Sequence, residues 1–306
     1  MSKYIAITGC FGHIATSITP YLINNFKNYK FIIVDNINLK EINYLFFYSK
    51  YKKRILFYNL DLSKKFDEKI FKNVSFLVHL AAYTNQEESF KNKNNFKKNN
   101  YGATSNIVKV CKKYNIPLIY PSTTSLYGSR KISDLIINSK SKNLIMPITP
   151  YSALKLKEEK LIEKSLNKFI ILRLATVVGF SKGMKFHTAV NKFCLQSLLG
   201  KKITIWKTAL NQTRPYLSIE QLREVILLIL KNNRKYFNNN KCNIVTQNYS
   251  IQEILKLIKN FKKINIKLVS ALSMNKKNLK IENDIKVKNK YTIKKSVKKI
   301  FDEIVV

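Results

Sequence analysis

The chain has 306 residues, 45% of them hydrophobic, so we expect a folded protein with a sizeable core rather than a disordered one. The formal net charge is +38, from 56 Lys and Arg residues against 18 Asp and Glu residues. The lysines are spread along the whole chain and no nucleic-acid-binding motif accompanies them. We therefore interpret the charge as a compositional bias and expect no nucleic-acid partner, although a positive surface would attract an anionic small substrate.

Membrane insertion and export are not expected. No apolar run approaches the roughly 20 residues that span a bilayer. The first residues, MSKYIAITG, lack the apolar segment and the cleavage site of a signal peptide. The four cysteines, Cys10, Cys111, Cys194 and Cys242, are far apart and form no C-x-x-C pair. We therefore expect no metal site, no disulfide framework and a cytoplasmic location.

Short apolar runs alternate with segments of helical period through the first half of the chain. Strands are predicted over residues 3–8, 30–36, 54–62, 74–82, 116–123 and 169–179. Helices are predicted over residues 13–26, 38–51, 95–115, 218–233 and 250–261, and around Tyr151. Continuous apolar strands separated by helices predict a parallel sheet with both faces covered. The later third is less regular and is expected to form a smaller lobe that completes a cleft.

The first predicted strand runs directly into TGCFGHIA, where Gly9 and Gly12 are separated by two residues and Ala15 takes the third small position. A strand that turns tightly into a helix presents backbone N–H groups and the positive helix end to a diphosphate. The second predicted strand ends in Asp35, whose carboxylate can accept hydrogen bonds from a ribose diol and would repel a 2′-phosphate. The pattern predicts a dinucleotide site and favours NAD over NADP.

Further motifs follow this turn along nearly the whole chain. They are NLDL (59–62), HLAA (79–82), NNYGATSNI, YPSTTSLYG, YSALK, LRLATVVG, RPYLSIEQL, and finally SMNKKNLKI with KYTIKKSVKKIFDEI. With TGCFGHIA, they resemble, in order, the motifs of the extended short-chain dehydrogenase/reductase family, and of its NAD-dependent nucleotide-sugar epimerase/dehydratase branch in particular.

The resemblance implies an α/β fold, a Rossmann-type doubly wound parallel sheet with a smaller, mostly C-terminal α/β substrate-binding lobe. Residues 1–178 are expected to form the NAD-binding domain with the catalytic residues. Residues 179–306 are expected to form mainly the nucleotide-sugar lobe, with parts such as 217–247 returning to the first domain. Family members commonly pair two long helices from each subunit, so a homodimer is expected, with the helices near 96–115 and 150–166 at its interface.

The resemblance also assigns site residues by motif position. The implied catalytic residues are Thr123, Tyr151 and Lys155. The implied cofactor residues are Gly9, Phe11, Gly12, His13, Ile14, Asp35, Asn36, Asp61, Leu62, Leu80, Ala81, Ala82, Asn99, Tyr151 and Lys155. The implied substrate residues are Thr84, Thr123, Thr124, Tyr151, Thr176, Asn191 and Arg214, of which Arg214 matches the diphosphate-binding arginine. The chain departs from the family pattern at Thr176, where many members carry asparagine, and at Ser218 and Gln221, which replace His and Asp.

Tyr151 and Lys155 are four residues apart on one predicted helix and therefore share a face. A free tyrosine is a poor base because its pKa is near 10, and a nearby cation favours the phenolate. Our hypothesis is that Tyr151 takes the proton from a substrate hydroxyl while the carbon gives hydride to the nicotinamide. Thr123 would hold the same oxygen in line, and Lys155 would also hold the nicotinamide ribose.

The positions after Thr123 bear on the reaction that follows oxidation. In the resembled family, 4,6-dehydratases carry an Asp-Glu pair there, and UDP-glucuronate decarboxylases carry a glutamate at the second position. This chain has Thr124 and Ser125 instead. The reaction that remains is oxidation of one carbon followed by return of the hydride to it. The sequence therefore predicts a nucleotide-sugar 4-epimerase.

Three alternatives stay open from the sequence. The first is a nucleotide-sugar C4 dehydrogenase or ketoreductase with net redox turnover. The second is an NAD(P)-binding regulator without catalytic activity, which the high charge favours and the complete Thr, Tyr and Lys set disfavours. The third is an enzyme of the same fold that acts on a non-nucleotide carbonyl compound, against which Arg214 and its flanking motif speak.

Overall fold

The computed structural model of the protein describes residues 3–37, 39–128, 136–141, 144–270 and 278–305. Within these ranges the strands are β1 (Lys3–Thr8), β2 (Tyr29–Asp35), β3 (Ile55–Asn59), β4 (Val74–His79), β5 (Leu118–Thr123), β6 (Ile136–Ile137), β7 (Phe169–Leu174), β8 (Thr176–Val178), β9 (Ile203–Trp206), β10 (Thr213–Ser218), β11 (Asn240–Ile244), β12 (Gln247–Ser250), β13 (Ile266–Val269) and β14 (Lys280–Ile281). The α-helices are α1 (His13–Asn25), α2 (Gln86–Lys91), α3 (Lys93–Phe96), α4 (Gly102–Tyr114), α5 (Pro150–Ser165), α6 (Ala189–Leu198), α7 (Ile219–Lys231), α8 (Asn233–Tyr236), α9 (Ile251–Lys259) and α10 (Ile293–Glu303).

Seven strands form one parallel sheet in the order β11-β7-β5-β4-β1-β2-β3. The chain builds outwards from β1 through β2 to β3, then crosses back to β4 and builds in the other direction. Strand order therefore reverses between β1 and β4, and open sheets of this kind bind ligands beyond the carboxyl ends of the strands at such a point. This topology confirms the predicted fold class.

Apolar helix faces cover both sides of the sheet. On one side Ile18 of α1 and Ile226 of α7 are fully buried in the same apolar cluster as strand residues Ile7 and Ile33. On the other side Ile107 of α4 and Ile162 of α5 are fully buried in a second cluster that includes strand residues such as Leu118. The central strands β1, β2, β4, β5 and β7 are largely buried on both faces, which explains their apolar runs, whereas the edge strands β3 and β11 are half-buried.

The start of α5 fixes where the predicted Tyr–Lys pair lies. Thr149 accepts a hydrogen bond from the Ser152 N–H at 3.0 Å, and the Ser152 hydroxyl accepts one from the Thr149 N–H at 3.1 Å. This reciprocal capping box, with Pro150 at the first helical position, defines the first turn. Tyr151 therefore lies in the first turn of α5, with Lys155 one turn further along.

Three segments differ from their predicted structure. The strand predicted over 169–179 is divided into β7, in the seven-stranded sheet, and β8, which pairs with β10 in another sheet. Residues 38–51 were predicted to be α-helical, but Leu39–Arg54 forms a 3₁₀ helix. The rings of Tyr44 and Tyr48 in it pack 5.7 and 5.8 Å from that of Phe11, so tertiary packing sets this conformation. The continuous helix predicted over 95–115 is interrupted by a π-helical turn at Lys97–Tyr101, between α3 and α4.

A smaller lobe packs on the carboxyl end of the sheet. It contains a three-stranded sheet in the order β12-β10-β8 and a β13-β9 pair. Its apolar core includes Val190 from α6, Ile254 from α9 and Val297 from α10, all fully buried. Of the closing motif SMNKKNLKI, residues 273–277 lie outside the described residues. Across the part of the chain that is described, no helix combines the length and apolarity needed to cross a membrane.

Candidate active site

The turn after β1 can be made only by a residue without a side chain. Gly9 has φ +66°, and a Cβ at this position would lie 2.6 Å from the backbone nitrogen of Ala81. Gly12 precedes α1 and offers no side chain to cap its first turn. The N–H groups of that turn are therefore available to an anion, as the sequence pattern predicted.

Asp35 lies at the end of β2 and braces this turn. Its carboxylate accepts a hydrogen bond from the Phe11 N–H at 2.8 Å and another from the Asn36 N–H at 2.9 Å. Burial raises the pKa of Asp35, while these two donors and the charge of Lys185 act in the opposite direction. The carboxylate thus lies beside the cleft with its oxygens already oriented by backbone donors.

Two cavities follow one another along the carboxyl edge of the sheet. The first, about 230 Å³, extends from the glycine turn to Tyr151, and the second, about 500 Å³, extends to Asp35 and Asp61. Both are lined by Gly9, Gly12, Leu80, Ala82 and Lys185. Because they meet at the glycine turn, the two cavities form one extended cleft with the diphosphate-binding turn near its middle.

Every residue that the sequence assigned to the cofactor lines this cleft. The second cavity is lined by Gly9, Phe11, Gly12, Asp35, Asn36, Asp61, Leu62, Leu80, Ala81, Ala82 and Asn99. The first is lined by His13, Ile14, Tyr151 and Lys155, and by the assigned substrate residues Thr84, Thr123, Thr124 and Thr176.

Two polar atoms in the wall of the first cavity also point to a ligand. The hydroxyl oxygens of Ser122 and Thr188 are buried and have no hydrogen-bond partner among the residues that the structure describes. Buried hydroxyl groups are normally paired, because an unpaired one costs about 1–3 kcal/mol. Polar groups of a bound dinucleotide or substrate would satisfy them, so the cleft fits a cofactor of this class.

Three residues predicted to be catalytic lie together in the first cavity. Thr123 ends β5, and its hydroxyl oxygen accepts a hydrogen bond from the Ser125 N–H at 3.1 Å. Tyr151 is 8% exposed. The Lys155 ammonium donates to the Tyr120 hydroxyl at 2.8 Å and to the Pro121 carbonyl at 3.3 Å. The end of the lysine side chain therefore lies against β5.

The protein alone does not make Tyr151 acidic. Burial raises the pKa of its phenol, and the negative charge of Glu158 raises it further. Lys155 forms an ion pair with Glu158 at 3.4 Å, which offsets the positive charge expected to favour the phenolate. Without ligands, Tyr151 is therefore held in its protonated form.

The first cavity contains no acidic side chain: among the described residues that line it, none is an aspartate or a glutamate. Thr124 turns away and donates to the Leu174 carbonyl at 3.3 Å, and Ser125 accepts a hydrogen bond from Gln86 at 3.2 Å. The titratable groups of this wall are phenol, imidazole and ammonium groups, which include Tyr151, His187 and Lys155.

The model of the NAD dependent epimerase/dehydratase family matches residues 5–244. The chain belongs to this family. Membership of an NAD-dependent family, together with the cleft that fits a dinucleotide, identifies NAD as the cofactor. The residues that would hold NAD are those of the glycine turn, Asp35 and the carboxyl ends of β3 and β4.

Relatives in the epimerase/dehydratase family catalyse different reactions. A dTDP-D-glucose 4,6-dehydratase of Dictyostelium discoideum is 34% identical over 74% of this chain and 55% of its own length. A putative UDP-glucose 4-epimerase of Methanocaldococcus jannaschii is 29% identical over 83% of this chain and 81% of its own. A trifunctional UDP-glucose 4,6-dehydratase of Arabidopsis thaliana is matched over 35% of its length. The chain thus spans about half of the Dictyostelium relative and about a third of the Arabidopsis one.

The fold is also that of solved members. The structure of UDP-glucuronic acid 4-epimerase from Bacillus cereus, in complex with UDP-glucuronic acid and NAD, superposes with a TM-score of 0.82 at 21% identity, over 98% of both chains. UDP-N-acetylglucosamine 4-epimerase from Methanobrevibacter ruminantium gives a TM-score of 0.82 at 22% identity.

Two residues assigned to the substrate lie outside both cavities. Asn191 is fully buried, and its amide bridges the Gly179 N–H and the Val177 carbonyl, both at 3.4 Å. Arg214 is partly buried and donates to the Thr213 carbonyl at 3.1 Å and to Gln212 at 2.7 Å. The structure gives Asn191 a role in holding the turn after β8, while diphosphate contact by Arg214 stays a prediction.

A seam joins the smaller lobe to the glycine turn. His13 donates to the Gly179 carbonyl at 2.9 Å, and Ser181 donates to the His13 carbonyl at 2.8 Å. The Gly183 N–H donates to the Thr16 hydroxyl at 2.9 Å, and a Cβ on Gly183 would lie 2.2 Å from the Phe11 carbonyl oxygen. These residues, Gly179–Gly183 against Phe11–Thr16, are referred to below as the seam.

Several residues of the site were not predicted. Ser122 and Gln86 line the first cavity, and Glu158 lies beneath Lys155. Glu158 stands in the charged run KEEK, yet it is fully buried. Its position three residues after Lys155, on the same helix face, was the signal that could have identified it.

Proposed function

We propose that the protein is an NAD-dependent nucleotide-sugar 4-epimerase, which oxidises a sugar carbon and reduces it again from the opposite face. The observation that carries this proposal is the composition of the first cavity. It combines Thr123, Tyr151 and Lys155 with a wall on which the described residues provide no carboxylate. Such a site can move a proton on and off an oxygen, but its described residues offer no carboxyl group as the acid or base for elimination at a second carbon.

Tyr151 is the proposed proton carrier. Tyr151 must first lose its own proton to solvent, which the positive nicotinamide of bound NAD would favour. The phenolate then removes the proton from the substrate hydroxyl during oxidation and returns it to the same oxygen during reduction. NAD, when bound, supplies the acceptor and the donor of the hydride. Between the two steps Tyr151 holds the proton, and a buried phenol with a raised pKa suits this state.

Thr123 is the proposed orienting group. Its oxygen already accepts a hydrogen bond from the Ser125 N–H, and its O–H can be donated to a substrate oxygen. A second hydrogen bond to the reacting oxygen would hold it in line with Tyr151 as the carbon becomes planar. Because the same oxygen is held before and after oxidation, the sugar can present its other face while the proton relay remains in place.

The organisation of the chain supports a nucleotide-sugar substrate. We assign residues 1–178, with segments such as 217–247, to the NAD-binding domain and 179–306 mainly to the lobe for the nucleotide sugar. In this assignment Arg214 contacts the diphosphate, because its planar guanidinium suits bidentate phosphate binding. A homodimer formed through the helices near 96–115 and 150–166 is part of the same proposal.

The test is an assay of the purified protein with NAD and UDP-glucose, UDP-glucuronic acid or dTDP-glucose, followed by proton NMR of the sugar. The expected product is the C4 epimer, with no net accumulation of NADH. A 4-keto-6-deoxy sugar would show elimination and would overturn the proposal. This product must be looked for because the chain is 34% identical to a dTDP-D-glucose 4,6-dehydratase. Stoichiometric NADH would instead assign a net dehydrogenase.

A pair of tyrosine variants controls the assay. Tyr151→Phe should abolish epimerisation, whereas Tyr114→Phe, on α4 and outside both cavities, should retain it. Equal activity of the two variants would show that the proton is carried by another group.

A further inference from the structure

Glu158 lies beneath the catalytic lysine. It is fully buried, and its carboxylate accepts hydrogen bonds from the Tyr120 hydroxyl and, at 3.2 Å, from Thr104. The Lys155 ammonium is 3.4 Å from the same carboxylate and 2.8 Å from the Tyr120 hydroxyl. Lys155, Tyr120 and Glu158 therefore form a closed triangle below the floor of the first cavity.

The triangle continues to the cofactor end of the cleft. Thr104 lies 3.3 Å from His79 Nε2, and His79 Nδ1 lies 2.7 Å from the Thr8 hydroxyl. The Thr8 oxygen accepts the Ala81 N–H at 3.2 Å, in the wall beside the glycine turn. Groups from α4, α5, β1, β4 and β5 thus hold the carboxylate of Glu158 in one orientation.

The charges in this network identify Lys155 as the counterion of Glu158. Burial and the charge of Lys155 lower the pKa of His79 to about 3, so the imidazole is neutral. Burial and Glu158 raise the pKa of Tyr120 well above its ordinary value, so this phenol is neutral as well. Tyr151 lies in the first turn of α5 and lines the first cavity together with Lys155, Lys185 and His187. Burial and the negative charge of Glu158 raise the pKa of the Tyr151 phenol.

We propose that Glu158 is a positioning residue that anchors Lys155 and offsets its charge, and so sets the pH at which Tyr151 exchanges its proton. With Glu158 present, the positive charge of Lys155 and the negative charge of Glu158 largely cancel in their effect on Tyr151. Without it, the positive charge of Lys155 acts alone and favours the phenolate. This inference rests on the role of Tyr151 in the proposed function.

The test is a direct titration of Tyr151 by the ultraviolet absorbance of tyrosinate in the NAD complex, where the positive nicotinamide would oppose the effect of burial on the phenol. Three proteins are titrated: the wild type, Glu158→Gln and Glu163→Gln. Each is also titrated with Tyr151→Phe added, and the difference between the two curves is the signal of Tyr151. Glu163 is the matched control, because it lies on the same helix but pairs with Lys241 on the outside of the protein. Glu158→Gln should move the transition to lower pH by about one unit or more. Glu163→Gln should leave it in place.

An unmoved transition in folded Glu158→Gln protein would overturn the proposal, even if stability and turnover fell, because a purely structural role predicts that result. Should Glu158→Gln fail to fold, Glu158→Asp withdraws the carboxylate from Lys155 and should shift the transition in the same direction by less. A transition at or above the wild-type pH in that variant would also overturn it. The titration needs no substrate, so its result is valid even if the 4-epimerase assay shows no activity. If that assay does show activity, the pH profile of turnover provides a second readout.

Discussion

Gly9→Ala and Gly200→Ala form a matched pair, because both glycines have a left-handed backbone but only one has close neighbours. Gly9 has φ +66° and Gly200 has φ +64°. A Cβ at Gly200 meets no atom within 4 Å, whereas at Gly9 it would lie 2.6 Å from the nitrogen and 2.7 Å from the Cα of Ala81. Both substitutions therefore share the backbone strain, and Gly9→Ala alone adds a clash with backbone that cannot rotate away.

The expected magnitudes follow from these two terms. Backbone strain should lower the free energy of unfolding by about 1–2 kcal/mol in both variants. The clash should add about 1–3 kcal/mol in Gly9→Ala, either as further destabilisation or as displacement of the Ala81 wall. If the wall moves, the Kd for NAD should rise by roughly 5- to 100-fold, since about 1.4 kcal/mol corresponds to tenfold.

Urea unfolding followed by circular dichroism gives the first quantity, and isothermal titration with NAD gives the second. Gly200→Ala should bind NAD as the wild type does. Equal unfolding free energies and equal NAD affinities in the two variants would refute the assignment of the Gly9 turn to the cofactor.

Three further outcomes are expected. Tyr151→Phe should lower turnover by at least about 100-fold while leaving the Kd for NAD nearly unchanged, because the phenol carries the proton and the cleft binds the cofactor. Glu159→Gln should lower the free energy of unfolding by about 3–5 kcal/mol, because it leaves the buried Arg173, 2.7 Å away, without its carboxylate partner. Acidification from pH 6.5 to about 4 should lower this free energy by roughly 1.4 kcal/mol per unit for each of His79 and His13, whose pKa values burial lowers to about 3 and about 4.

The sign of the pH effect follows from proton uptake. An unfolded histidine binds a proton below its ordinary pKa of 6.5, whereas the folded His79 does not until about 3. The unfolded state binds more protons in this window, so stability falls as the pH falls. Urea unfolding at several pH values measures the slope, and a flat profile would contradict neutral burial. For Glu159→Gln the control is Glu163→Gln, which should cost under about 1 kcal/mol because that pair is partly exposed.

The sheet was predictable because its signals are local. Six of its seven strands contain apolar runs that were predicted as strands, and the glycine turn places β1 at the point where strand order reverses. The edge strand β11, NKCNI, has no such run and was not predicted. The 3₁₀ segment Leu39–Arg54 was mispredicted because its conformation depends on distant contacts. Tyr48 donates to the Cys10 carbonyl and packs on Phe11, and neither contact is visible in the helical period of the segment.

The candidate site was predictable to the extent that backbone position decides it. Thr123 and Asp35 end strands and Tyr151 begins a helix, so their positions in the motifs were enough to predict that they lie in the cleft. Side-chain direction was not predictable, because it depends on which partner is within reach. Asn191 turns to the backbone of Val177 and Gly179, and the Glu158 carboxylate is buried by Tyr120 and Thr104 from other elements.

The seam bears on the order in which ligands bind and leave. Its hydrogen bonds join the smaller lobe to the first turn of α1, directly beside the glycine turn. We expect a dinucleotide bound at that turn to leave slowly while these hydrogen bonds hold. In that case the protein would load its cofactor once and then exchange substrate and product many times.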